Sequence, residues 1–446
     1  MTVIPRTAMA ALLNWRKAPR RKVLLVRGAR QVGKTYLVRE FAKQFRSVLE
    51  INFLEDKQAH HFFSGDLRAS ALIEQLQAYY NVPIIDDETL LFFDEVQECP
   101  NALTALRFFH EQRPDLHVIA AGSLLEFALS EIPSFGVGRI QSLFIHPVSF
   151  DEYLQAAGEE RLYRYLRGAG PEPIANPLHE KLINQLKKFL FHGGLPEVVS
   201  HFLDERNYQD ANELIDHLRR SFEDDFAKYR KRVPADRLSN IFRSAALQAG
   251  KKFIHSHAYP DAQAGPVHQA IELLERAAII ERVYHTAANG IPLGGEVDTK
   301  KYKAFPFDHG IYQRMIGVTP AEFIVKDFNP INKGAMAEVY VGNALRGASA
   351  SSLREPLYYW HREAKSSNAE VDYVVQCKEQ IVPIEVKSGT RGKMQSIRAF
   401  LDEKQHTKRS PLGVRISLEN FGRVDNILVV PLYAVSQIWR LVEEVG

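Results

Sequence analysis

At 446 residues the chain is long enough for about three domains of roughly 150 residues each. Its 45% hydrophobic and 25% charged residues exclude wholesale disorder. A net charge of +3, from Lys+Arg 57 against Asp+Glu 54, excludes nucleic-acid binding through overall charge alone.

The N-terminus has only the short apolar patch Met9-Ala10-Ala11-Leu12-Leu13 ahead of Trp15-Arg16-Lys17. A membrane span needs about 20 apolar residues, and no run approaches that, so no membrane contact is expected. No cleavage-site pattern follows the patch, so a secretory signal is not expected either. Two distant cysteines, Cys99 and Cys377, support neither a disulfide framework nor a cysteine metal site. The 16 histidines show no metal-ligand spacing. The chain reads as cytoplasmic.

The first third alternates strand and helix patterns. Strands are expected at Val23 to Val26, Val48 to Phe53, Leu90 to Phe93, His117 to Ala121 and Ser142 to Ile145, with a helix over Thr35 to Phe45. Continuous apolar strands separated by helices imply a parallel sheet covered on both faces. Helical patterns dominate from about Asp151 to Arg230. Helices at Leu238 to Gly250 and Val267 to Ala278, then a strand at Ile279 to Tyr284 and a hairpin tip around Ala288 to Gly295, predict a winged helix. The last segment predicts a helix over Gly334 to Leu345, strands at Leu357 to Trp360, Val371 to Cys377 and Ile381 to Val386, and a helix after Lys393.

Between the first strand and its helix lies Gly28-Ala29-Arg30-Gln31-Val32-Gly33-Lys34-Thr35, a phosphate-loop pattern. Its glycines let the backbone curl so that N–H groups and the helix N-terminus surround phosphates. Lys34 would reach the β/γ-phosphates and Thr35 would ligate Mg²⁺. Leu90-Leu91-Phe92-Phe93-Asp94-Glu95 is a buried strand ending in two acids at the sheet's carboxyl edge, where α/β ligands bind. Asp94 would hold the magnesium through water and Glu95 would polarise the attacking water. The alternative is that the pair caps the next helix.

These motifs resemble AAA-type ATPases. The resemblance implies an extra strand between the phosphate and acidic elements, assigned here to Val48 to Phe53. It implies a sensor role for Ser123, which would otherwise cap a helix over Leu124 to Leu129. Arg139, in Phe135-Gly136-Val137-Gly138-Arg139, falls where related ATPases carry an arginine that reaches a neighbour's phosphate; local pairing is the alternative, and Arg139 is the only hint of self-association. His192-Gly193-Gly194-Leu195-Pro196-Glu197 resembles the Gly-x-Pro element of signal-transducing ATPases, which implies a place for Pro196 near the adenine, against a plain turn between helices.

In the last segment, a hairpin turn centred on Lys378-Glu379 sets Asp372 opposite Glu385. One face then shows Val371, Tyr373 and Val375 beside Val382, Ile384 and Val386; the other shows Glu370 and Asp372 against Glu385 and Lys387. Facing carboxylates repel unless a divalent cation lies between them. The pattern Asp372…Glu385-Val386-Lys387 resembles PD-(D/E)xK nucleases, with Val371 in place of the family's proline. That resemblance makes Asp372, Glu385 and the helix acid Glu338 metal ligands and gives Lys387 a catalytic role. A solvated face with paired charges is the alternative.

The expected architecture is α/β: an AAA-type P-loop parallel-sheet ATPase core over residues 1–160, a helical lid over 161–232, a winged-helix region over 233–318, and a restriction-endonuclease-like domain over 319–446. The whole chain resembles prokaryotic ATP-binding proteins that pair an AAA-type ATPase with a C-terminal domain of unknown function. ATP and Mg²⁺ are the expected ligands, with DNA or a protein as partner. Arg16-Lys17 with Arg20-Arg21-Lys22 reads as solvated surface. Lys228-Tyr229-Arg230-Lys231-Arg232 stays open between a phosphate-backbone contact and surface, and Glu272, Glu275 and Arg276 disfavour insertion of their helix into a DNA groove.

Overall fold

The computed structural model describes residues 2–123, 125, 129, 138–229, 233–259, 264–320, 334–349, 352, 354–362, 368–389 and 394–445. The chain divides into two compact units. One is formed chiefly by Pro5–His146, the other by Pro147–Ser349 with Glu355–Gly446. The boundary at His146 falls short of the one expected at residue 160, and the helices of the expected lid group with the C-terminal part.

In the first unit, β1 (Val23–Arg27), β2 (Ser47–Asn52), β3 (Thr89–Asp94), β4 (His117–Ala121) and β5 (Ile140–Phe144) form a parallel sheet in the order β2-β3-β4-β1-β5. Every residue of β3 and β4 is buried. That is why both read as unbroken apolar runs: helices cover both faces and no position needs to be polar. Phe53, Phe63, Phe93 and Phe109 pack together on one side of the sheet. One expectation needs correcting. The strand between β1 and β3 is β4, whereas Val48 to Phe53 belongs to β2 at the sheet edge. Chain order and spatial order differ because β4 crosses back between its predecessors.

The second unit opens with the helices Phe150–Ala156, Glu160–Gly168, Asn176–His192, Pro196–Glu205 and Tyr208–Asp225. A mixed sheet follows, made of β6 (Ile280–Thr286), β7 (Val297–Pro306), β8 (Leu357–Arg362), β9 (Ala369–Cys377), β10 (Gln380–Val386), β11 (Gly413–Ser417), β12 (Gly422–Val424) and β13 (Ile427–Pro431). Its order is β12-β13-β11-β10-β9-β8-β6-β7. The helices Ala235–Leu247 and Ala264–Arg276 and the ribbon expected of a winged helix are present. The ribbon β6–β7, however, forms the edge of this larger sheet, with β6 parallel to β8 through Val283↔Leu357 and Tyr284↔Tyr358. No separate wing exists among the described residues. Apolar contact with β8 buries more surface than a free two-stranded ribbon could, and an isolated ribbon is marginally stable in water.

Both faces of the hairpin β9–β10 are covered. Tyr373, Val382 and Ile384 join the cluster of Val339, Tyr340 and Val341 on the helix Gly334–Ala348. Val371, Val374 and Ile381 pack against Ile397, Phe400 and Leu401 of the helix Gln395–Lys404. The solvated face that stood as the alternative is therefore not met, and Val371 lies opposite to its expected side. A register shift between Tyr358 and Trp360 in the β8–β9 pairing accompanies the broken alternation.

Asp151 gives a pH-dependent test of this packing. Ser149 and Glu152 form a capping box that starts the helix Phe150–Ala156, and Asp151 turns inward. Its carboxylate oxygens accept from the Ser436 hydroxyl at 3.1 Å, and one accepts from Gln437 Nε2 at 3.3 Å. Burial raises its pKa from 3.8 to about 6, against the pull of the Ser436 bond. A raised folded value means the neutral form favours folding. That contribution is complete below the unfolded value and is lost as pH rises through about 6. The charged form then costs about 2–3 kcal/mol. Asp151→Asn should raise Tm at pH 8 and match the parent near pH 4, as read by calorimetry across that range.

Candidate functional site

The phosphate loop leaves β1 at Gly28, whose φ is +139°. A Cβ there would stand 2.2 Å from the Ile145 carbonyl oxygen, so only glycine lets the loop back against this segment. The helix Lys34–Ala42 starts directly after Gly33, which points its unpaired N–H groups into the loop. Lys34 is 8% exposed. Its Nζ donates to the carbonyls of Gly28 at 3.1 Å and Ala29 at 2.7 Å. Burial lowers its pKa to about 8, opposed by Glu95 and Asp94.

The two halves of the site meet at one hydrogen bond. Thr35 Oγ1 donates to Asp94 Oδ2 at 3.0 Å. Asp94 is buried at the end of β3, and burial pushes its pKa up while the Thr35 bond opposes the shift. A hydroxyl and a carboxylate side by side at a phosphate loop are hard oxygen donors, the set Mg²⁺ prefers. The residues present fit that ion. Glu95 takes a left-handed φ of 47°, a strained conformation of the kind found at functional sites. Its Oε2 accepts from Gln97 Nε2 at 2.6 Å and from Ser123 Oγ at 3.3 Å. Ser123 thus stands beside the acid, at the end of β4; the helix it was expected to cap falls mostly outside the described residues.

Arg139 pairs with Glu111 on the helix Pro100–Gln112, the local pairing that was its alternative; Phe135 to Val137 lie outside the described residues. Pro196 opens the helix Pro196–Glu205 in the other unit. There Gly193 and Gly310 touch back to back: a Cβ on Gly193 would meet Gly310 Cα at 2.7 Å. Asp308 Oδ2 accepts from Gly194 N at 2.7 Å, and Val148 N donates to Gly194 O at 2.6 Å. The Gly-x-Pro segment is therefore a fixed corner held by Asp308.

Arg6 was missed in the sequence. Its guanidinium donates from Nη1 to the Val32 carbonyl of the loop at 2.9 Å and from Nη2 to the His146 carbonyl at 2.6 Å. The separation from His146 in sequence is what hid it. Arg21 pairs with Asp87 at 2.7 Å and Arg16 stacks over Phe45, so much of the N-terminal basic run is used internally. The side chains of Lys228 to Arg232 lie outside the described residues. Glu275 pairs with Arg282.

In the C-terminal sheet, β9 pairs β10 in the expected register from Gln380↔Cys377 to Ile384↔Tyr373, and Asp372 and Glu385 follow directly on the last of these pairs. Glu338, Glu370 and Asp372 converge, but on a lysine the sequence reading missed. Lys303 Nζ lies 2.8 Å from Glu338 Oε1, 2.5 Å from Glu370 Oε1 and 3.8 Å from Asp372 Oδ1. Asp372 Oδ2 accepts from Val386 N at 2.7 Å. Glu385 is 3% exposed and pairs with Lys387 at 2.5 Å. The expected metal set Glu338, Asp372 and Glu385 is thus divided between two lysines. Among the described residues no group of three or more acids, histidines or cysteines is arranged to hold a metal ion.

Residues 20–154 match the family model described as an AAA domain. This part of the chain is an AAA-type P-loop ATPase domain. The AAA-type domain contains the phosphate loop, Asp94, Glu95, Ser123 and Arg139 within the matched residues. Residues 183–322 match a domain of unknown function, DUF8612, and residues 333–435 match another, DUF4143. No curated protein matches the chain. Among solved structures, the Walker-type ATPase PABY2304 of Pyrococcus abyssi is 16% identical with a TM-score of 0.43, over 70% of this chain and 96% of that one. The ORC1 protein of Aeropyrum pernix, in complex with DNA, is 11% identical with a TM-score of 0.29, over 69% of this chain and 90% of that one. Cdc6p of Pyrobaculum aerophilum is 11% identical with a TM-score of 0.28, over 63% and 89%. Among the described residues no helix is long and apolar enough to cross a membrane.

Proposed function

We propose that the chain binds and hydrolyses ATP in the AAA-type domain, and that nucleotide state switches the C-terminal unit, which acts on a protein or nucleic-acid partner without cleaving DNA. The observation that carries the ATPase reading is the 3.0 Å bond from Thr35 to Asp94, which joins the phosphate loop to the acidic strand end. Phosphates enter the cradle of loop N–H groups at the helix N-terminus. Lys34 then exchanges the carbonyls of Gly28 and Ala29 for phosphate oxygens. Thr35 and Asp94 would hold Mg²⁺, which supplies neutralising charge at the β/γ-phosphates. Glu95 orients the attacking water and takes its proton, with Gln97 and Ser123 fixing the carboxylate. Arg139 serves a neighbouring chain's phosphate once its pair with Glu111 opens.

The switch reading of the C-terminal unit is supported by Lys303 standing among the acids that a metal nuclease would need free. Steady-state phosphate release from ATP and Mg²⁺ by the full chain tests the ATPase; a chain that binds ATP and releases no phosphate overturns it. Adding duplex, branched and single-stranded DNA tests the output. Stimulated release with intact DNA is expected of a nucleic-acid partner. Cleavage lost in Asp372→Ala or Lys387→Ala would replace the switch with a nuclease.

A further inference from the structure

We infer that Lys303 is the resident cation of the C-terminal acidic cluster, and that this cluster takes no divalent metal. The inference concerns the output unit and does not depend on ATP hydrolysis. Four carboxylates gather here: Glu338 from the helix Gly334–Ala348, Glu370 and Asp372 from β9, and Glu385 from β10. Such a gathering repels itself unless positive charge stands inside it. In this chain β7 supplies that charge. Lys303 is 1% exposed, contacts Glu338 and Glu370 at hydrogen-bond distance, and lies 5.2 Å from the Tyr359 ring centroid.

The lysine cannot easily vacate. Its backbone is paired on one side with Val283 of β6 and bridged on the other to Lys252, so β7 is fixed across its width. Burial alone would lower its pKa, yet Glu338, Asp372 and Glu370 outweigh burial and hold it above the ordinary lysine range. Moved away from the acids, the ammonium would be buried without partners, which is costly.

A divalent ion placed in the cluster would need about six oxygen ligands. One oxygen of Glu338 and one of Glu370 are already spent on Lys303. One Asp372 oxygen is spent on the Val386 amide, and the paired oxygen of Glu385 is spent on Lys387. An incoming ion would also face the ammonium directly. The acids therefore bind β7 to β9 and to the helix beneath them, in the place where the resembled nucleases seat a metal.

The test is Mn²⁺ titration of the nucleotide-free full chain, followed by electron paramagnetic resonance, with Asp372→Asn as reference. The parent and Asp372→Asn should bind Mn²⁺ identically up to about 1 mM. Lys303→Met should gain one site, at least about tenfold tighter than anything in the parent, and adding Asp372→Asn should remove it. Parent binding that Asp372→Asn abolishes would overturn the inference, as would a folded Lys303→Met chain with no gained site. Should Lys303→Met fail to fold, the comparison of parent with Asp372→Asn still decides. Phosphate release, read on the same samples, reports the ATPase separately.

Discussion

Glu95→Gln should stop ATP turnover while leaving ATP bound. The amide keeps a carbonyl to accept from Gln97 Nε2, now at 2.6 Å, and from the Ser123 hydroxyl, so its position should change little. What it loses is the capacity to take a proton from water. Loss of a positioned general base typically costs about 10²–10⁴-fold in rate. Phosphate release under single turnover should fall by that factor. Nucleotide affinity should hold within about threefold, because Glu95 contacts other side chains at the strand end and is given no phosphate to bind. Unchanged turnover would mean that water is activated elsewhere, and the assigned role of the β3 acids would fail.

Lys34→Ala should have the opposite signature. A charge-assisted bond to phosphate is worth roughly 1.5–3 kcal/mol, so the Kd for ATP should rise on the order of 10²-fold. The ligand-free fold should tolerate the change. Lys34 pays for burial in its lowered pKa, so truncation removes that desolvation cost along with its bonds to the Gly28 and Ala29 carbonyls. The Tm without nucleotide should therefore stay near the parent's, while the upward shift produced by ATP disappears. Equilibrium binding and thermal melts together separate lost binding from lost folding. ATP bound with unchanged affinity would remove Lys34 from the site.

The two halves of the chain were legible to different degrees, for reasons visible in particular residues. Val23 to Val26 and Leu90 to Phe93 are buried on both faces, so composition alone marks them, and the loop from Gly28 to Thr35 is a local motif whose geometry depends on its own residues. The hairpin register also followed locally, because a tight turn at Lys378-Glu379 leaves little freedom. Sheet order did not. Nothing near His117 says that its strand will insert between β1 and β3. The strands β11 to β13 were not among the expected elements; β12 is only three residues long, and β11 carries Arg415 and Ser417 in place of an unbroken apolar run. Lys303 was hidden by its neighbours Lys300 and Lys301, which make the segment look like a solvated basic run. Only the pairing of β6 with β8 reveals which of these lysines faces the acids. Arg6 is the same kind of omission, a side chain whose partners are assembled by the fold.

The partition of the C-terminal unit into two differently described stretches has a practical cost. Their border runs through a single hydrogen-bonded sheet, between β7 and β8 in the chain but across the β6–β8 pairing in space. A fragment begun at Gly334 would bare one whole backbone edge of β8, inviting strand-to-strand aggregation, and would orphan Glu338 and Glu370 from their counter-charge. The two stretches of this chain are thus expected to fold and to be expressed only as one piece.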